Sequence, residues 1–214
     1  MNDQEIINQL YEKYGEEIVK TEFLPKAYNP GGINAVKAIY LGCDPTNTKY
    51  DIKFEYAFAH KYKGTEFKQF INSHTEQLTK IGLSWETVYT QNLCRNYFKE
   101  ESSKNKIWKK VASEFWISEL FKELSVFDSK IPVLLTSQLL LEVLGDEETS
   151  KYTAPDIYEG KITIPIPADK NKIGRPLIPA YRGKSPRYKV SYHLKNEQWK
   201  DYRESIVQYF KEKE

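Results

Sequence analysis

Three polar residues stand where the chain finishes an apolar run: Asp44 just after AVKAIYLG, Asn92 in TVYTQNL, and His193 at the end of YKVSYH. A carboxylate can orient a water molecule, a carboxamide can read the edge of a planar polar ligand, and an imidazole can stabilise a developing anion. Together they make a hydrolytic set. Singly each has a structural use: Asp before Pro45 forms turns, Asn at a strand end caps, and a lone His is a satisfied structural group. The elements around them decide whether they meet.

Those elements read as alternating strands and helices. AVKAIYLG, TVYTQNL, IPVLLTS and YKVSYH are short and rich in β-branched residues or tyrosine. Helical spacing fills the gaps at 66–82 and 105–125, and SQLLLEVLG opens a helix that stops at Gly145. Ile6, Ile7, Leu10, Tyr14 and Ile18 predict a helix over 3–20, and Gly31–Gly32 punctuates the chain before the first strand. This alternation predicts an α/β fold, a three-layer α/β/α sandwich around a short, mainly parallel four-stranded sheet. Residues 146–188 break into prolines, glycines and a short KITIPIP strand. They are expected to form an irregular basic insertion, partly hairpin, within one domain spanning 1–214. In an open parallel sheet, ligands collect beyond the carboxyl ends of the strands. Asp44, Asn92 and His193 are therefore expected on one rim.

Taken in order, these motifs resemble the uracil-DNA glycosylase superfamily. LGCDPTN is similar to that family's Gly-Gln-Asp-Pro-Tyr-His water-activating loop, and Phe58 in FEYAFAH to its base-stacking phenylalanine. VYTQNLCRNYF resembles the motif whose asparagine reads the polar edge of uracil, IPVLLTSQLLLEVLG the third strand and its helix, and VSYHLKN the final strand with its histidine. The resemblance implies Asp44 and His193 as catalytic residues. It also implies Cys43, Pro45, Thr46, Phe58 and Asn92 around a flipped base, and neither metal nor organic cofactor. Three departures stand out. Thr46 replaces a tyrosine that excludes the methyl group of thymine, Asn47 replaces a histidine, and Leu194-Lys195 replaces Pro-Ser, leaving Leu194 a poor match to the intercalating leucine.

Charge gives a separate line of argument. The net charge of +2 is too small to imply nucleic acid by itself. Lys170, Lys172, Arg175, Arg182, Lys184, Arg187, Lys189 and Lys195, however, form a run without Asp or Glu, interleaved with Tyr181, Tyr188 and Tyr192. Cations neutralise phosphates and rings offer stacking faces, so Arg182, Lys184, Arg187 and Lys195 are expected on a DNA backbone, single or double stranded. A solvated basic loop is the plainer alternative. Cys43 and Cys94 are too few for a disulfide framework or an iron–sulfur cluster and read as buried thiols. His60 and His74 lack metal-ligand spacing and read as structural or surface groups, and Trp85, Trp108 and Trp116 as core. With no apolar run of membrane-spanning length, a cytoplasmic monomer is expected. The expected activity is hydrolysis of the N-glycosidic bond of uracil or a related base in DNA. The rival expectation is a module of the same fold that binds nucleic acid or a modified base without cleaving it, and a third is hydrolysis of a free nucleoside or nucleotide.

Overall fold

The computed structural model describes residues 3–49, 51–181 and 196–213, with 196–199 described by backbone alone. The N-terminal helix α1 (Asp3–Tyr14) buries Ile6, Ile7, Leu10 and Tyr14 on one face. It ends earlier than its apolar spacing predicts, because Ile18 belongs to the two-residue strand β1 (Ile18–Val19). Strand β2 (Ala38–Gly42) is buried at all five positions, as a central parallel strand requires. Helix α2 (Lys68–Lys80) buries His74, Gln77 and Leu78, and β3 (Val88–Asn92) follows it. After β3 come β4 (Tyr97–Phe98) and a helical segment running from α3 (Trp108–Val111) to α4 (Ile117–Leu124) through one π-helical turn at Ala112–Trp116. Then follow β5 (Val133–Leu135), α5 (Gln138–Leu144), α6 (Ala154–Tyr158), β6 (Leu177–Pro179) and α7 (Asn196–Lys211).

Among the described residues the sheet has four strands in the order β3-β2-β5-β6, all parallel, and β1 pairs antiparallel with β4 in a separate ribbon. Gly42 pairs with Asn92 and Tyr40 with Thr90, so these four share one face, while Tyr89 and Gln91 point to the other. Tyr40 reaches α2, where its hydroxyl lies 2.6 Å from His74 Nδ1 and donates to Gln77 Oε1 at 3.2 Å. On the opposite face the Tyr89 hydroxyl and Gln91 Nε2 both donate to Glu123 of α4. Helices thus cover both faces. Among the described residues no helix is long and apolar enough to cross a membrane.

One sheet strand lies where the sequence predicts none. YKVSYH lies outside the described residues, and the edge position beside β5 is taken by Leu177–Pro179, inside the stretch expected to be an insertion. Three residues that follow Pro176 and end on Pro179 carry too short a pattern to read as a strand. KITIPIP forms no ladder. Pro165 and Pro167 lack the N–H groups a ladder needs, and only Ile166 bridges antiparallel to Leu177. The stretch is part of the core rather than an appendage: Ile157, Ile166, Ile173, Leu177 and Ile178 belong to the main buried cluster.

Candidate active site

The pairing of β2 and β3 continues past both strands, with Leu93 N–H donating to Gly42 O at 2.8 Å and Cys94 N–H to Cys43 O at 2.9 Å. The chain segments carrying Asp44 and Asn92 therefore leave the sheet side by side. Gly42 is the pivot of the arrangement. A Cβ there would stand 2.5 Å from Asn92 Oδ1 and 2.8 Å from two carbons of the Phe58 ring, distances no side chain tolerates. Only glycine lets the carboxamide and the ring close over the strand end. Asn92 is 4% exposed, and its Nδ2 has no hydrogen-bond partner among the described residues. A buried amide donor left unpaired costs free energy that a ligand acceptor would recover.

Phe58 reaches Gly42 from a strained backbone. Its φ of 57° lies in the left-handed region, and Ala59 (φ 58°) and Lys61 (φ 60°) share it. For non-glycine residues that conformation persists only where packing over-determines it. Here the ring sits 5.2 Å from Tyr40, 4.9 Å edge-on from His74, and 6.0 Å from Phe70. Backbone bonds from Lys26 N–H to Glu55 O and from Ala57 N–H to Lys26 O, both 2.8 Å, tie the loop to the preceding segment. His60 stacks on Tyr28 at 3.9 Å and meets Trp85 edge-on at 4.2 Å. It is buried, and burial pushes its pKa down to about 4.

Asp44 opens an Asx turn in which Oδ1 accepts the Thr46 N–H at 2.9 Å. The Thr46 hydroxyl accepts the Phe98 N–H at 2.9 Å, which fastens the turn to β4. Asn47 closes the next part of the loop by accepting from Ile52 N–H at 2.9 Å and donating to Ile52 O at 2.7 Å. Burial pushes the Asp44 carboxyl up to about 6, against the opposing pull of donors on Thr46, Trp108 and Ser102. Its Oδ2 is buried without a hydrogen-bond partner among the described residues. Phe58 and Asn92 thus meet at Gly42 at the carboxyl end of β2, and Asp44 follows two residues later in the chain. Pro45 is buried in the same turn, and Cys43 is half-buried between Gly42 and Asp44.

No protein-family model, curated protein or solved structure matches this chain. Its own geometry therefore carries the functional argument.

The remaining site residues divide in two. His193, Leu194, Arg182, Lys184, Arg187 and Lys195 lie outside the described residues, as do Lys189, Tyr188 and Tyr192. The described part of the basic run serves the fold. The Arg175 guanidinium is buried and donates to the carbonyls of Asp128 (2.6 Å), Leu124 (2.6 Å) and Phe127 (2.8 Å), satisfying the end of α4. Lys172 donates to Val143 O at 2.6 Å near the end of α5, and Tyr181 is buried. Neither Arg175 nor Tyr181 is free for phosphate or stacking. Trp108, which the sequence reading placed in the core, and Ser102, which it passed over, oppose the effect of burial on the Asp44 carboxyl. The signal that finds them is topological: the β3–α3 connection leaves from the same rim as Asp44. Among the described residues no three His, Cys, Asp or Glu side chains are grouped so as to hold a metal ion.

Proposed function

We propose that this protein is a DNA glycosylase of the uracil-DNA glycosylase type, hydrolysing the N-glycosidic bond of uracil or a related base. The observation that carries the reading is the contact at Gly42, where a ring and a carboxamide donor unpaired among the described residues close over the end of β2, two residues before the half-buried Asp44 with its buried Oδ2. A planar ligand with a hydrogen-bonding edge suits the first pair. Charge developing on a sugar beside it suits the third. In this reading Phe58 packs against the flipped base and Asn92 hydrogen-bonds its edge. Asp44 as carboxylate orients the water and stabilises the oxocarbenium-like sugar, and His193 stabilises the departing base. Flipping costs a few kcal/mol of unstacking, which Arg182, Lys184, Arg187 and Lys195 would offset through phosphate contacts. Water activation needs the Asp44 proton off, so the rate should rise with pH through about 6.

Incubating the protein with single- and double-stranded oligonucleotides bearing a panel of damaged and 5-substituted bases tests this directly. Abasic sites are the expected result. Retention of the oligonucleotide without abasic sites across the panel would instead favour the binding module. Its structural motive is that the Thr46 hydroxyl is held by Phe98 and the tyrosine ring of the resembling family is absent.

A further inference from the structure

His74 and Gln77 stand one turn apart on the buried side of α2, and Gln77 ties two separated strands of the sheet together. Its Nε2 donates to Ala180 O at 2.8 Å and to Tyr181 O at 3.0 Å, the first residues beyond β6. Both amide hydrogens are thereby engaged, so Oε1 is the end turned toward Tyr40 of β2, with β5 lying between the two strands. There it accepts from the Tyr40 hydroxyl at 3.2 Å. A hydroxyl has a single hydrogen. With that hydrogen given to Gln77, the 2.6 Å contact between the Tyr40 oxygen and His74 Nδ1 takes its hydrogen from the imidazole, so Nδ1 is the ring nitrogen that carries it. All three side chains are buried, where a hydrogen bond is stronger than in water. A bond at the end of β6 thus sets the direction of every hydrogen in the chain.

We propose that Gln77 is a positioning residue for Phe58. Acting through Tyr40 and His74, it fixes two of the rings that pack against the Phe58 ring, 5.2 Å and 4.9 Å away, and sets them relative to the end of β6. The need is local. Phe58 holds a left-handed φ of 57°, which persists only where its neighbours over-determine it. Rings held by directed bonds do so more strictly than rings held by shape alone. That Phe58 packs against a base rests on the function proposed above; the bonds from Gln77 do not.

The test is the pair of nitrogen-15 chemical shifts of the His74 ring in labelled protein, with His74→Phe locating the resonances. Wild type should carry the hydrogen on Nδ1. Gln77→Leu removes the acceptor and leaves the Tyr40 hydroxyl to donate to Nδ1, so a form with the hydrogen on Nε2 should appear, which a loss of packing alone would not produce. If Gln77→Leu fails to fold, Tyr40→Phe keeps the ring, cuts the same link and should weaken the Nδ1 preference in the same way. In single-turnover excision each variant should raise the oligonucleotide concentration at half-maximal rate by about tenfold, with a smaller effect on the saturating rate. The double variant should lose no more than either single one, because the two residues act in series. A wild-type ring with its only hydrogen on Nε2, a ring unchanged in the folded variants, or half-saturation that stays at the wild-type value overturns the proposal. A wild-type protein that excises nothing refutes the glycosylase reading but leaves the His74 ring to settle these bonds.

Discussion

Asp44 and His60 each lie two residues beyond the contact between Gly42 and Phe58, on the two loops that meet there, and burial treats them oppositely. Both are kept from water, and in both the charged form is penalised. For the carboxyl group that means a pKa raised to about 6, and for the imidazole one lowered to about 4. The Asp44 loop keeps partial compensation, through the Thr46 N–H and the donors around it. The His60 imidazole packs against the rings of Tyr28 and Trp85, and its Nε2 has no hydrogen-bond partner among the described residues. A charge is being readied in one loop and refused in the other, where the need is to brace the strained backbone of Phe58.

Stability against pH breaks the comparison most sharply. Asp44 binds its proton more tightly folded than unfolded, so its contribution is favourable below about 3.8 and is lost as pH rises through 6. His60 binds its proton less tightly when folded, so its contribution is present above 6.5 and lost as pH falls through 4. Each is worth roughly 3 kcal/mol, and between pH 4 and 6 they oppose each other. Relative to wild type, Asp44→Asn should gain stability of that order at pH 7.5 and nothing below pH 4. His60→Phe, which keeps a ring against Tyr28, should gain it at pH 4 and nothing at pH 7.5. Urea unfolding at four pH values measures both. Two variants that parallel wild type throughout would show that neither group is desolvated as described.

Gly42→Ala comes next. The added methyl must displace Asn92 or Phe58, costing about 1–3 kcal/mol of stability. Binding of a base-bearing oligonucleotide should fall further than stability does if, as proposed, the two displaced groups hold the base. A variant that binds normally would remove the Gly42 contact from the site. The smallest effect concerns strain alone: Ala59→Gly relieves a left-handed φ of 58° and should stabilise the protein by about 1 kcal/mol without changing excision. A destabilised Ala59→Gly protein would mean that the methyl's packing outweighs the backbone.

Much of this was legible in the sequence because β2, β3 and β5 are long or apolar enough to show their period, and each ends at a turn residue. Helix α5 was legible from both ends: Ser137 accepts the Leu139 N–H at 3.3 Å and Gly145 follows its last residue. Strand β6 was not, since three residues ending on a proline carry no alternation, and its place in the sheet comes from pairing with β5. The nearness of Phe58 and Asn92 to the end of β2 followed from motif order, but the reason Gly42 must be glycine is a contact between segments distant in sequence. Arg175 shows the converse. Composition puts it with the phosphate-binding cations, whereas three carbonyls at the end of α4 claim it. Trp108 reads as core from its spacing and is core by burial.

The central claim is that Asp44 acts on a base held by Phe58 and Asn92. Its most direct measurement is the release of free base from a single labelled oligonucleotide, the best substrate of the panel, by wild type, Asp44→Asn and Asn92→Ala under single-turnover conditions at pH 7.5. The account predicts release by wild type in step with abasic sites. Asp44→Asn should be slower by about 10²–10⁴-fold with oligonucleotide binding kept, and Asn92→Ala should be weakened in both. Release by Asp44→Asn at the wild-type rate would contradict it.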